Sequence, residues 1–402
     1  MPMSLSRAFN IADLRALARA RLPRMVFDYI DGGADDEYTL RANVARFAEY
    51  ALTWDVLRDI ANISTATTVM GAATKLPFVV CPTAASRLFH PVGGERSVAR
   101  AAHAAGVIYS ASALATTRFE DIAAVNPGPK WFQLYAWKDR GLLREMLARA
   151  KAAGFTAAIL TVDVPVAGNR ERDHYNDFTV PPRLTARTAL QALARPGYLW
   201  KLWSTERVRP AIVADITPID GTLVEFLHRQ LDHTLSWKDI VWMMDAWGGE
   251  FAIKGIATAA DAQRCVAAGA TGVWVSNHGG RQLDTAPATI DLLEPIVQAV
   301  GDRAAVILDG GIRRGTDIIK ALALGARTVG IGRAYLYGLA AAGEAGVARA
   351  IAILADELRR DLALMGCADL QSIRRDSVIA PHDRRHKNEN SAPEERSCSS
   401  NS

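Results

Sequence analysis

Eight short runs of apolar, β-favouring residues recur along the chain, with helical stretches between them. They are PFVVCPTA (77–84), GVIYSAS (106–112), KWFQLY (130–135), AAILTVD (157–163), FAIKGI (251–256), GVWVSN (272–277), AVILDGG (305–311) and TVGIGR (328–333). The segments between them include amphipathic stretches such as RGLLREMLARAKAAG (140–154) and GTDIIKALALGA (315–326). Strands apolar on both faces need cover on both sides, and strands joined through helices lie parallel. Eight such units predict an α/β chain folded as a closed (β/α)8 TIM barrel, with a doubly wound open sheet as the alternative. No GxGxxG fingerprint follows the first run, which argues against a dinucleotide-binding Rossmann domain.

The barrel is expected over about 77–345, within one domain spanning 1–383. An N-terminal helical segment precedes it, and residues 164–250 form a long insertion between the fourth and fifth strands. The N-terminus has no apolar core of the kind a signal peptide needs. The polar tail 384–402 is expected to be disordered. With 402 residues, half of them apolar, the chain has ample material for a core. A net charge of +4 is too small to argue for a nucleic-acid partner. Cys81, Cys265, Cys367 and Cys398 show neither CxxC nor metal-type spacing, which favours a reducing compartment. No run approaches the ~18 uninterrupted apolar residues of a bilayer span. A soluble protein, or one lying on a membrane surface, is expected.

Polar residues terminate every run. In order they are Thr83 and Ala84, Ser112, Gln133 and Tyr135, Thr161 and Asp163, Lys254, Asn277 and His278, Asp309, and Gly332 and Arg333. The C-terminal ends of the strands are where a barrel of this type assembles its site. One polar end is ordinary solvation; polar ends on all the strands point to chemistry. After the last two strands, DGGIRRG (309–315) and GIGRA (330–334) combine glycine with arginine. Backbone N–H groups and guanidinium forks of that kind suit a phosphate. Lys254 rises inside the barrel, where it needs a structural carboxylate, a Schiff base or an anionic cofactor ring as partner. SNHGGRQLD (276–284) sets His278 and Arg281 directly behind a buried strand. A satisfied core histidine is the plainer reading of His278, but the arginine three residues on favours an active rim.

The stretches DYIDGGADDEYTL, PTA, WFQLY, LTVDVP, GNRERD, SNHGGRQLD, LDGGIRRGTDIIKALALGA and IGRA resemble those of the FMN-dependent α-hydroxy-acid oxidases and dehydrogenases. That group includes glycolate oxidase, L-lactate dehydrogenase and mandelate dehydrogenase, and the resemblance runs from about Leu5 to Val378. RERD followed by VPP, and GRAYLYGLAAAGEAGV, are most similar to the membrane-associated mandelate and lactate dehydrogenases. The resemblance implies oxidation of an L-2-hydroxy acid to the 2-oxo acid, FMN as cofactor, and a homotetramer. It implies His278 as the base, with Asp163 supporting the imidazolium. Arg170 and Arg281 would hold the substrate carboxylate, and Tyr29 and Tyr135 would hydrogen-bond its carboxylate and hydroxyl. Thr83, Ala84, Ser112, Gln133 and Thr161 would line the flavin, with Lys254 at its N1–O2 edge. Asp309 would meet the ribityl chain, and Arg313, Gly332 and Arg333 the phosphate. Two stretches depart from the pattern: SASALATT (110–117) lacks the aromatic that glycolate oxidase has there, and PTAASRL differs after PTA. Both fall where the substrate's side chain should sit.

Residues 183–213 hold six basic side chains, Arg183, Arg187, Arg195, Lys201, Arg207 and Arg209, against one acid, Glu206. Leu190, Leu193, Tyr198, Leu199, Trp200, Leu202 and Trp203 are interleaved with them. Cations mixed with aromatics are the composition of an interfacial segment. An anionic membrane surface is therefore an expected partner, at the cytoplasmic face of the cell membrane, with quinone as electron acceptor. A lid over the active site is the alternative role for the segment, and oxygen the alternative acceptor. An FMN-barrel isomerase, a phosphate-binding aldolase-type barrel and a non-catalytic flavin- or lipid-binding protein are rival classes. Yellow colour that bleaches with a hydroxy acid in the absence of oxygen separates the first reading from all three.

Overall fold

The computed structural model describes residues 4–180, 185–219 and 223–383, so Arg183 and the tail 384–402 lie outside the described residues. Its centre is a closed barrel of eight parallel strands. They are β1 (Phe78–Val80), β2 (Tyr109–Ser112), β3 (Lys130–Tyr135), β4 (Ala157–Thr161), β5 (Glu250–Ile256), β6 (Gly272–Val275), β7 (Ala305–Asp309) and β8 (Thr328–Ile331). Neighbours in sequence are neighbours in the barrel, and β8 closes onto β1 with Val329 opposite Phe78 and Ile331 opposite Val80. The doubly wound alternative is thereby excluded.

Alternation along each strand divides the core in two. Val79, Ile108, Trp131, Ala157, Ile159, Ala252, Trp274 and Ile307 point inward and pack together. Phe78, Val80, Phe132, Leu134, Leu160, Phe251, Ile253, Val275, Leu308 and Ile331 point outward under the helices. Within the barrel Trp131 and Trp274 meet edge to face at 6.3 Å, a favoured geometry for aromatic quadrupoles. A hairpin, Thr67–Val69 paired with Ala72–Thr74, closes the N-terminal mouth and adds Val69, Met70 and Ala72 to the inner cluster. The interior is therefore apolar at that end. Towards the other end the inward positions become Gln133, Thr161, Lys254 and Asp309.

The outer helices follow from spacing and caps. In Arg140–Ala152 the buried residues Leu142, Leu143, Met146, Leu147 and Ala150 recur every three or four positions, and Asp139 caps the start by accepting from Leu142 N. Before the barrel, Asn10 caps Ile11–Arg21, and Pro23 separates that helix from Arg24–Asp31. After it comes Arg333–Met365, broken at Ala342–Gly343, which packs on Ile11–Arg21 and on Gly94–Ala105. Among the described residues this is the one helix long and apolar enough to cross a membrane, and most of that stretch is buried within the protein. Between β4 and β5 lie Glu171–Tyr175, Ala186–Leu193, Pro196–Trp203, Ala211–Ala214, Leu223–Gln230 and Trp237–Trp247. The last of these packs against Arg140–Ala152 as a member of the outer ring.

Candidate active site

The polar strand ends converge on one cavity of about 740 Å³. Tyr29, Thr83, Ala84, Gln133, Tyr135, Thr161, Arg170, Lys254, His278, Arg281, Asp309, Arg313, Gly332 and Arg333 all line it. Asp163 and Ser112 stand behind this lining and act on it through a neighbour. Ser112 Oγ donates to Gln133 Oε1 at 2.9 Å, and Gln133 Nε2 donates to Thr161 Oγ1 at 3.0 Å. That row ties β2, β3 and β4 together and fixes which way the Gln133 amide points.

Across the barrel, Lys254 Nζ lies 2.8 Å from Asp309 Oδ2 and donates to Ser276 Oγ at 2.7 Å. Ser276 in turn donates to Asp309 Oδ1 at 2.6 Å. Burial alone would pull the proton off Lys254, but the carboxylates of Asp309 and Asp163 outweigh it and hold the ammonium. Of the partners that the sequence left open for this lysine, the carboxylate is present in Asp309. Ser276 joins the pair, and nothing in its own position signals that role.

The turn after β6 places the imidazole. His278 has a left-handed backbone with φ +56°, and Gly279 and Gly280 continue in that region. The His278 N–H donates to Ser276 Oγ at 3.1 Å. A Cβ on Gly280 would lie 2.5 Å from the Leu40 nitrogen, so the turn is pressed against the N-terminal segment and admits only glycine there. His278 Nδ1 and Asp163 Oδ1 are 3.0 Å apart. Burial raises the Asp163 carboxyl, but the charge and hydrogen bond of His278, with Lys254 behind it, more than reverse this and hold it below the usual range. Asp163 is approached so closely that a Cβ on Gly255 would sit 2.6 Å from the aspartate Cβ. The amide of Gln282 donates to Asp163 O at 3.0 Å and Val166 O at 2.9 Å, fastening this loop to the histidine turn.

An Asp163→Asn variant is expected to fold, with the His278 imidazole left without its carboxylate partner. The same aspartate gives a pH signature. A carboxyl whose folded pKa is depressed contributes stability in full above its unfolded value, about 4, and loses it as pH falls through the lower folded value. The gap in urea midpoint between wild type and variant should stay constant above about pH 5 and shrink below about pH 4. A gap that widened on acidification would exclude an ionised Asp163.

Five cations among the described residues line the cavity, Arg170, Lys254, Arg281, Arg313 and Arg333. Arg281 donates to Tyr29 O at 2.7 Å and lies over the Tyr29 ring at 4.9 Å. Burial, and then Arg170, push its guanidinium down to about 9. Burial likewise pushes Arg333 down to about 10, against the pull of Tyr337. Arg333 spends Nε, Nη1 and Nη2 on the carbonyls of Ile30, Gly279 and Gly32 at 2.7–2.9 Å, so its own hydrogen bonds hold backbone. Arg170 Nε is buried with no hydrogen-bond partner, as is Asp163 Oδ2. Buried guanidinium groups under this strain are relieved by an anion. Burial, followed by the charge of Asp163, pushes the Tyr135 phenol up to about 12, so it is a hydrogen-bonding group at neutral pH.

A model of the FMN-dependent dehydrogenase family matches residues 18–380. The chain belongs to this family. Its cofactor is FMN. The chain is 44% identical over 370 residues to a putative L-lactate dehydrogenase of Mycobacterium tuberculosis, a match covering 92% of this chain and 88% of that protein. It is 42% identical over 375 residues to glycolate oxidase 5 of Oryza sativa subsp. japonica, covering 93% and 96%. Its fold is similar to that of a crystal structure of the monotopic membrane protein (S)-mandelate dehydrogenase, with a TM-score of 0.87, 37% identity, and coverage of 92% of this chain and 99% of that one.

The cavity of this FMN-dependent dehydrogenase fits the cofactor on its own terms. Around Gly332, where Arg333–Met365 begins, nothing lies within 4 Å of the position a Cβ would take, and Gly310, Gly311 and Arg313 border the same space. Small backbone, a helix N-terminus and a guanidinium suit a phosphate. Reading the sequence did not find the aromatic neighbours of Tyr29. Phe178 stacks on it at 4.5 Å and Phe89 at 6.1 Å. In a sequence, an aromatic side chain carries no sign of what it will face.

Proposed function

We propose that this chain oxidises an L-2-hydroxy acid to the corresponding 2-oxo acid. The supporting observation is the convergence of one imidazole, paired to an ionised carboxylate, with Arg170 and Arg281 in the cavity of an FMN family. An ionised Asp163 can only accept, so Nδ1 of His278 carries its proton and Nε2 is left as the base. His278 Nε2 takes a proton from the substrate, and Asp163 stabilises the imidazolium that results. Arg281 and Arg170 grip the substrate carboxylate, with Tyr29 and Tyr135 donating to its carboxylate and hydroxyl. FMN, when bound, would accept the two electrons together with the second hydrogen. Thr83, Ala84, Gln133 (oriented by Ser112), Thr161 and Lys254 would border its ring, Asp309 its ribityl chain, and Arg313, Gly332 and Arg333 its phosphate. The test is anaerobic: purified yellow protein should bleach on addition of a 2-hydroxy acid. Yellow protein that no hydroxy acid bleaches would exclude this reading.

Replacing Arg281 by lysine should raise KM about tenfold or more, because a point charge replaces a two-pronged donor. Non-reactive carboxylates should weaken in parallel. Unchanged affinity for them would remove Arg281 from the carboxylate site.

The electrons pass, in this reading, to a membrane quinone, with the enzyme held on the cytoplasmic face of the membrane. Residues 185–213 support it through their two faces. Inward, Gln191 accepts from Met25 N at 2.9 Å, Tyr198 donates to Leu88 O at 2.8 Å, and Thr185 reaches the cavity lining. Outward, Leu190, Leu193, Trp200 and Trp203 are 65–84% exposed, beside the exposed Lys201, Arg207 and Arg209. The inner face is fastened to the body of the protein, with Thr185 at the cavity; the outer face is left for lipid. Changing these four apolar residues to serine should abolish sedimentation with anionic vesicles and leave dye-linked turnover near normal. Wild-type binding should also weaken with salt, each surface cation contributing about 1 kcal/mol. A wild-type protein that ignores such vesicles would overturn the membrane assignment.

A further inference from the structure

We infer that the acid oxidised here carries a bulky apolar side chain, an aryl ring or a medium-length alkyl chain. The reason is that the cavity beside Arg281 is walled by Phe89, Leu114, Phe178, Val180 and Leu231. This rests on the proposed role of Arg281 as the carboxylate anchor. The apolar wall begins at that anchor: the guanidinium lies over Tyr29 at 4.9 Å, and Tyr29 stacks on Phe178 at 4.5 Å and Phe89 at 6.1 Å. A carboxylate held by Arg281 therefore brings its substituent next to aromatic faces.

The wall is built before any substrate arrives. Phe89, Leu114, Val180 and Leu231 are each only 2–3% exposed. They come from separate segments, after β1, after β2, and twice within the interval between β4 and β5, so no single loop movement removes the surface. Leu231 is further fixed by a backbone bridge to Trp137. None of the five side chains has a polar atom to offer. Gln133, Thr161, Lys254 and Asp309 already satisfy one another or their neighbours. A hydroxyl laid against these five side chains would find no partner among them, which is unfavourable. A second carboxylate at the polar rim would meet Asp173, which also lines the cavity. Hydrogen or methyl, the substituents of the smallest hydroxy acids, would leave most of the wall untouched.

The test separates the wall from the chemistry. Acetate, butyrate, hexanoate and phenylacetate lack the reactive hydroxyl, and their binding to FMN-loaded protein can be read from the flavin absorbance. Affinity should rise about fourfold per methylene, the equivalent of burying each in an apolar site. In steady state, 2-hydroxyhexanoate or mandelate should exceed glycolate and lactate by roughly a hundredfold in kcat/KM. Leu114→Trp should cut the hexanoate advantage at least tenfold, and Leu114→Phe should do so partly if the larger ring prevents folding. Glycolate or lactate as the preferred substrate, or affinities flat with chain length, would overturn the inference. Affinities that rise with length in a protein that no hydroxy acid bleaches would support the wall and defeat the oxidation reading alone.

Discussion

His278→Asn should fold, bind FMN and reduce it at least 10²–10⁴ times more slowly with hydroxy acid than the wild type, the usual contribution of a general base. Asparagine fills much of the same space and still offers a group to Asp163 Oδ1, which lies 3.0 Å from the imidazole in the wild type. It has no basic nitrogen. The left-handed backbone at this position favours the substitution, since asparagine tolerates that region better than most residues. Rapid mixing without oxygen, monitored at the flavin band, gives the rate, and the band before mixing gives the FMN content. Wild-type rates in a fully loaded variant would show that the proton is taken elsewhere.

Lys254→Met should lower stability by about 3–5 kcal/mol and yield protein with little FMN, because it leaves a buried carboxylate without its cation. Side chains of Lys254 and Asp309 are 7% and 9% exposed, so the carboxylate left behind is poorly solvated. Ser276 still donates to Asp309 Oδ1, but a hydroxyl does not balance the charge. The double variant Lys254→Met, Asp309→Leu removes both charges and should recover most of the lost stability without recovering the cofactor. Denaturant midpoints and FMN-to-protein ratios of the two variants decide the matter. If Lys254→Met were as stable as wild type, the pair would not be the central ion pair of the barrel.

The strands were legible because each must be apolar on both faces, and a run such as GVWV has no other good use. Their polar ends were legible for the converse reason: Lys254 or Asp309 inside an apolar layer demands an explanation. Much of the remaining site lies in relations between distant residues. Gln282 reads as a surface amide until the loop at 163–166 is beside it, and Gly255 as a weak strand residue until Asp163 presses on it. Asp163 and Ser112 end their runs like the cavity-lining residues, yet they stand behind His278 and Gln133. Register along a strand tells which side a residue faces; it does not tell how deep its neighbour reaches. The helix Trp237–Trp247 was hidden in the long interval for a similar reason, since a ring helix and an excursion share the same apolar pattern.

The three carbonyls gripped by Arg333 have a consequence for how the chain is made. Ile30 and Gly32 belong to a segment synthesised some three hundred residues ahead of the arginine that secures it. The same segment gives the backbone N–H groups of Tyr38 and Thr39 to Asp284, exchanges amide hydrogen bonds between Asn43 and Asn277, and pairs Arg46 with Asp291. All of these partners are translated late, so the segment gains these hydrogen bonds only when most of the barrel has left the ribosome. Tyr29, which that segment carries, reaches its place over Arg281 only then. Birth order and the order of these contacts are reversed here: a segment made early is secured at the mouth of the cavity by residues made late.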